Sequence, residues 1–207
     1  MHPAIATLLV GALFLGSFTG LTVLRRQQPS LRFLVEGAVL TACGIIAALA
    51  GAPLHPILFL VILYVLTMRV RLLVDAGNAL SARARHRGAL ALADLALRLG
   101  PDPASRQIAL INRGVAQLRH GEPEAAYFTI KGVLLDEPVK PAARYQAAGF
   151  YNLGVACLRS DRPQEAERYF HKAIEIMPGS LYALGAEKAL KRAAQGGRPD
   201  ATEGPQP

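Results

Sequence analysis

Charged side chains are almost absent from the first third of the chain, and this asymmetry restricts its fold more than any other feature. Residues 1–68 carry four charged residues, whereas residues 69–207 carry 34. A segment this apolar fits a lipid bilayer rather than the core of a soluble domain. We therefore predict a transmembrane region over residues 1–68, a folded polar domain over residues 69–194 and a disordered tail over residues 195–207.

Two apolar runs provide the candidate membrane spans. The first covers residues 4–24, contains no charge and has the about 20 residues that one crossing needs. It lacks the basic start of a signal peptide, which favours a retained anchor. The second run covers residues 33–68 and is interrupted by Pro53 and Pro56, which break a helix. It predicts two short spans, about 33–50 and 53–68, and the alternative is one kinked helix with an interfacial segment.

The distribution of arginines between and after these apolar runs predicts the orientation of the spans in the membrane. Three arginines lie in the loop over residues 25–32, and none lies in the turn at residues 51–56. The positive-inside rule then places the N-terminus outside and the polar domain in the cytoplasm of a multi-pass cell-membrane protein. We expect anionic lipid headgroups to meet the basic residues that follow the last span, namely Arg69, Arg71, Arg83, Arg85 and Arg87.

Small residues recur at helical spacing within the first two predicted spans. Such stripes allow helices to approach closely in lipid, and we predict that they pack the three spans into a bundle, with dimerisation as the alternative. The predicted packing residues are Ala12, Gly16, Gly20, Gly37, Thr41, Gly44 and Ala48. Glu36 is the one aspartate, glutamate, lysine or arginine within a predicted span. It lies one turn after Arg32, so we interpret it as half of a structural ion pair.

The polar domain contains an internal repeat. Three glycines are each followed by an alanine twelve residues later, an apolar residue sixteen later, a small or β-branched residue nineteen later and a proline twenty-four later. These positions are Gly77, Ala89, Ala93, Ala96 and Pro101; then Gly114, Ala126, Ile130, Val133 and Pro138; then Gly154, Ala166, Phe170, Ala173 and Pro178. Features that recur at fixed offsets indicate stacked copies of one helical hairpin.

This pattern resembles the tetratricopeptide repeat, a helix–turn–helix unit of 34 residues. The third copy matches best, with Phe150 and Leu153 before its glycine and only Cys157 at a place where an aromatic residue is usual. We place the units at about 70–103, 107–140 and 147–180, followed by a capping helix over residues 180–194. The expected fold is all-α: three transmembrane helices and then a short α-solenoid.

The resemblance also implies a binding surface. In this family the first helix of each unit lines a groove that holds a peptide or a partner helix, and an asparagine two residues before the glycine contacts the ligand backbone. Asn112 and Asn152 occupy that place, and Asp75 occupies it in the first unit. The full predicted groove set is Asp75, Asn78, Asn112, Tyr151, Asn152, Val155, Leu158 and Arg159. The lysines and arginine of the carboxylate-binding members are absent.

The sequence predicts no enzyme, metal site or cofactor. It contains no phosphate-binding glycine loop, no nucleophile motif and no histidine–cysteine cluster. Residues 69–207 carry 20 basic and 14 acidic residues that are well mixed and form no basic stripe interleaved with aromatic residues, so nucleic acid is not an expected partner. We interpret the chain as a membrane-anchored scaffold for a protein partner. The alternative is an accessory subunit of a membrane complex with the spans as its interface, and the oligomeric state stays open.

Overall fold

The computed structural model describes residues 2–24, 30–137 and 140–195, and these residues contain helices and turns without a strand. The predicted all-α fold is confirmed. The helices are α1 (Pro3–Leu24), α2 (Leu31–Leu49), α3 (Pro56–Thr67), α4 (Arg69–Ala82), α5 (His86–Arg98), α6 (Pro103–His120), α7 (Pro123–Lys131), α8 (Ala143–Arg159), α9 (Pro163–Ile176) and α10 (Leu181–Ala194). A π-helical turn, Gly132–Asp136, extends α7. The predicted tail beyond Gln195 lies outside the described residues.

The chain forms two compact units, one over residues 1–72 and one over residues 73–207. In the first unit, α1 and α2 are long and apolar enough to cross a membrane. The predicted third span is shorter than expected, because α3 has 12 residues and reaches only about 18 Å of a core about 30 Å thick. A third crossing results only if α3 and α4 together count as one broken span.

Small residues of α2 form the centre of the first unit. Gly37, Thr41, Gly44 and Ala48 are its buried residues. Gly37 faces Leu15, and Gly44 faces both Thr7 and the ring of Phe59. These contacts bring α1 and α3 against one face of α2, where a larger side chain would hold the helices apart.

The prediction for α1 was wrong about which face packs. Ala12, Gly16 and Gly20 are exposed, and nothing lies within 4 Å of the Cβ position of Gly16 or Gly20. The buried residues of α1 are instead Ala4, Thr7, Gly11 and Phe14. Because α1 is apolar on every side, its sequence gives no signal for which face packs. In the structure the packed face is marked by larger side chains, such as Phe14 and Phe18, whose ring centroids lie 4.8 Å apart.

Glu36 pairs with two arginines, one more than the sequence indicates. Its carboxylate accepts from Arg32 Nε at 2.6 Å, from Arg69 Nη1 at 2.6 Å and from Arg69 Nη2 at 2.8 Å. Arg69 Nη1 also donates to the Leu66 carbonyl at the end of α3. Arg69, predicted as a residue that faces lipid headgroups, is therefore held within the protein.

This ion-pair network lies where a predicted continuous helix is interrupted. No glycine or proline separates Ile57 from Asp75, which favours one helix through this segment, yet α3 ends at Thr67 and α4 begins at Arg69. Thr67 Oγ1 donates to the Leu63 carbonyl at 2.6 Å, a bond that bends helices. We infer that Arg69, bound to Glu36, fixes the break at Met68.

We expect Glu36→Gln to loosen this joint by about 1 to 2 kcal/mol, because it removes the charge that holds a bidentate guanidinium. Hydrogen exchange of the full chain in micelles should show faster exchange at the amides of residues 69–72. Arg106→Ala is the control, because the Arg106–Glu137 pair is largely exposed and should change stability little. Unchanged exchange at residues 69–72 would contradict the assignment.

The second unit repeats one close contact in three helical hairpins. The Cβ position of Gly77 on α4 lies 3.6 Å from the Ala89 carbonyl of α5, and that of Gly114 on α6 lies 3.5 Å from the Ala126 carbonyl of α7. Gly154 on α8 faces the Phe170 ring of α9. The three regularly spaced glycines thus occupy equivalent positions. Each lies where the first helix of a hairpin approaches the second helix of the same hairpin.

Alanine at two glycines should have opposite effects. A Cβ on Gly154 would lie 2.5 Å from Phe170 Cε1, so we expect Gly154→Ala to destabilise α8 and α9 by about 1 to 3 kcal/mol. Gly132 has helical φ −53° and nothing near its Cβ position, so Gly132→Ala should be neutral or stabilise by up to about 1 kcal/mol. Chemical denaturation that gives both variants the same stability would contradict this packing.

Candidate protein-interaction groove

The first helices of the hairpins carry the predicted asparagines, and two of these line one pocket. Asn78 of α4 and Asn112 of α6 both border a cavity of about 10 Å³, which is room for about one water molecule. Its other walls come from small and apolar residues, including Ser81, Ala93 and Val115. The structure thus brings Asn78 and Asn112, which lie in different hairpins, to the wall of one small pocket.

Asn112 and Asn152 have the same hydrogen bond on neighbouring first helices. Asn112 Nδ2 donates to the Ile108 carbonyl at 2.8 Å, and Asn152 Nδ2 donates to the Ala148 carbonyl at 2.7 Å. Each bond goes back one turn and fixes the amide, while Oδ1 and the second N–H keep the capacity to bind a ligand. Both side chains are half-buried, so these groups are oriented at low entropic cost.

The predicted groove residues on the last repeat are partly covered by α10. Tyr151 is 5% exposed, its ring centroid lies 6.2 Å from that of Tyr182, and it also faces Gly185. Val155 and Leu158 are half-buried against the core that α6 to α10 share. The prediction that Tyr151 forms an open groove wall is wrong, because the capping helix uses it as a packing surface.

Arg159 is also a structural residue in this arrangement. Its Nη1 donates to the Leu118 carbonyl near the end of α6, and burial lowers the pKa of its guanidinium below the ordinary value. It therefore connects α8 to the last turn of α6, where a cation complements the helix dipole.

The remaining predicted residues lie at the surface. Asp75 is exposed on α4, and so are the basic residues of the segment that follows α3 except Arg69; these are Arg71, Arg83, Arg85 and Arg87. Their exposure leaves the predicted headgroup contact untested. Arg119, which the sequence does not single out, donates from Nη1 to Ser81 Oγ at 3.1 Å and connects α6 to α4 beside the asparagine pocket.

A polar cluster between the second and third repeats escaped the sequence analysis. Arg162 stacks on the Tyr127 ring, 4.2 Å from its centroid, and its Nη2 donates to both Glu124 oxygens at 3.0 and 3.1 Å. Tyr127 Oη donates to Glu165 Oε2 at 3.2 Å. The Glu124–Arg162 and Tyr127–Glu165 pairs each lie 38 residues apart in the sequence, which is close to the repeat period. This spacing is the one sequence signal that could have indicated the cluster. Its role is to join two hairpins.

Cys157 lies beside this cluster as a buried thiol. Burial raises its pKa to about 11, so at neutral pH it is protonated and a poor nucleophile. Its Sγ is 3.9 Å from Glu165 Oε2. Among the described residues no group of three or more histidine, cysteine, aspartate or glutamate side chains is placed to hold a metal ion.

Gln117 occupies the position that is usually aromatic in such repeats, and its side chain is 5% exposed. Its Oε1 accepts no hydrogen bond from the described part of the chain. We expect Gln117→Leu to stabilise the second unit by about 1 kcal/mol, because it removes a buried acceptor that water satisfies in the unfolded chain. Gln107 is equally buried but has a partner, so Gln107→Leu should destabilise. Thermal denaturation that ranks the two variants in the opposite order would contradict this.

Comparison with known proteins identifies one of the hairpins. The sequence model of the tetratricopeptide repeat family matches residues 147–180, which span most of α8, all of α9 and the turn before α10. The predicted resemblance of the third copy is thereby confirmed, and repeats of this family serve protein–protein interaction. No curated protein and no solved structure matches the chain.

Proposed function

We propose, from the tetratricopeptide repeat at residues 147–180, that this chain is a membrane-anchored scaffold whose repeat groove binds an extended segment of a protein partner. One observation carries the proposal. Asn112 and Asn152 lie on neighbouring first helices with the same backbone-anchored amide geometry. Two amides fixed in this way form a ladder that recognises the peptide backbone rather than particular side chains.

The spacing of this ladder suits an extended peptide. α6 and α8 contact each other directly, and packed helices have axes about 8–10 Å apart. An extended chain rises about 3.3 Å per residue, so peptide residues about three apart would meet Asn112 and Asn152. Asn78, beside Asn112 at the pocket, adds a third amide to the same groove.

The anchor is the second part of the proposal. α1 and α2 have the length and apolarity of spans, and many large apolar side chains on them are exposed, as lipid-facing residues are; Leu13 is 69% exposed and Leu49 is 67% exposed. Arginine-rich flanks favour a cytoplasmic repeat unit. With three crossings the N-terminus lies outside, and with two crossings it lies on the cytoplasmic side.

Two measurements test these parts separately. Reporter fusions at the N-terminus and after Pro207 determine the number of crossings: opposite sides support three and the same side supports two. Co-purification with residues 69–207 and with the full chain then determines which part binds the partner. Recovery by residues 69–207 supports the groove, whereas recovery by the full chain alone would contradict it.

An accessory subunit of a larger membrane complex is the second candidate, and the exposed stripe on α1 favours it. Ala12, Gly16 and Gly20 form a G-x-x-x-G-type surface that no helix of this chain covers within the described residues. Such surfaces allow a helix of another subunit to approach closely. Gly16→Leu should release a partner bound in this way and leave a groove-bound partner in place.

A further inference from the structure

The outer face of α10 carries an exposed stripe that is half apolar and half cationic. Leu181 is 62% exposed and Leu184 is 46% exposed, and Lys188 and Lys191 are exposed further along the helix. Spacings of three, four and three residues place all four side chains on one narrow face. The opposite face is buried, with Ala183 and Ala186 fully covered.

This stripe is unusual for the last helix of a repeat array. A terminal helix normally presents a polar outer face, because no further repeat covers it. The neighbouring helix α9 follows that rule, and its exposed residues are mostly charged: Pro163, Gln164, Glu167, Arg168, His171, Lys172 and Glu175. On α10 the nearest acid is the half-buried Glu187, so the stripe is positively charged and partly apolar.

We propose that the α10 stripe contacts an anionic lipid surface. Its leucines suit insertion at the boundary between headgroups and acyl chains, and its lysines suit the phosphates above that boundary. Each lysine close to such a surface strengthens binding by about fivefold. The proposal rests on the membrane anchor proposed above, since an anchored chain presents a weak lipid-binding face at high effective concentration.

The size and charge of the stripe disfavour a protein occupant. Four side chains cover far less than the about 800 Å² per partner that a stable protein interface buries. A two-fold contact with a second copy would bring lysines toward lysines without acidic residues of the stripe to pair with them. A lipid surface requires neither a large patch nor an acidic complement from protein.

Spin labels on the full chain in nanodiscs test the proposal. The label is attached at Leu184→Cys in a chain that also carries Cys43→Ser. In discs that contain phosphatidylglycerol, its accessibility to a water-soluble nickel relaxation agent should fall several-fold. In discs that contain only phosphatidylcholine, the accessibility should return. Lys188→Glu with Lys191→Glu should abolish the protection. Arg168→Glu with Lys172→Glu, the same charge change on α9, should leave it intact.

A label at Leu13→Cys reports separately on the anchor. If the Leu13 label lies in the bilayer and the Leu184 label stays in water with anionic lipid, the stripe proposal is overturned and the anchor stands. If the Leu13 label lies in water, both are overturned. If the Leu184 label is equally protected in neutral discs and in detergent, the stripe contacts a protein surface. That result would also overturn the proposal.

Discussion

Phe170→Ala should lower the free energy of unfolding of the repeat unit by about 3 to 5 kcal/mol, the range for removing a fully buried aromatic side chain. Phe170 is 2% exposed and belongs to the core cluster that residues of α6 to α10 share. Its ring faces Gly154 and has its centroid 5.8 Å from that of Tyr151. The cavity would therefore open between both helices of the third hairpin and the capping helix.

Hydrogen exchange of the full chain measures this effect where it occurs. Opening free energies at the amides of α8, α9 and α10 should fall together, whereas those of α1 and α2 should not change, because these helices belong to the other compact unit. Phe170→Leu keeps most of the buried area and should cost less than half as much. A loss below about 1 kcal/mol for Phe170→Ala would show that the hairpin core lies elsewhere.

Asn112→Ala with Asn152→Ala should weaken partner binding by about 30- to 150-fold, or about 2 to 3 kcal/mol. In the proposed complex each substitution removes an amide that pairs with the peptide backbone, which would leave buried peptide groups unsatisfied at about 1 kcal/mol or more per asparagine. Neither change should unfold the unit, because each side chain makes one hydrogen bond within its own helix. Affinity for the co-purified partner, titrated against the purified full chain, checks the value.

The matched control replaces exposed polar residues outside the proposed groove. Gln164→Ala with Glu167→Ala changes two exposed residues of the second helix of the last repeat and should leave affinity within about twofold. If the asparagine variant binds as tightly as the control, with helix content unchanged, the groove is not the binding surface.

Much of the repeat unit could be predicted from sequence because its information is local and periodic. The offsets of twelve and sixteen residues after each glycine identify the residues that the structure places against it, such as Ala126 with Gly114 and Phe170 with Gly154. Hairpin contacts recur with the repeat, so three weak copies support one another. The match of the family to residues 147–180 confirms the strongest of them.

The wrong predictions concern long-range contacts. The break at Met68 involves an ion pair between residues 33 positions apart, so the local sequence favours a continuous helix instead. The sequence predicts Tyr151 as part of the groove wall on the first helix of its hairpin, but the position of α10 decides whether that residue is open. On α1 every face is apolar, so small residues alone could not identify the packed one.

Photo-crosslinking from the groove in native membranes tests the central claim most directly. A photoreactive amino acid at Val115, which borders the asparagine pocket, samples the groove, and the same group at Ala12 samples the exposed stripe of α1. The scaffold account predicts a defined protein adduct from Val115 that disappears in the Asn112→Ala, Asn152→Ala variant. Adducts from Ala12 alone, with none from Val115, would contradict the account.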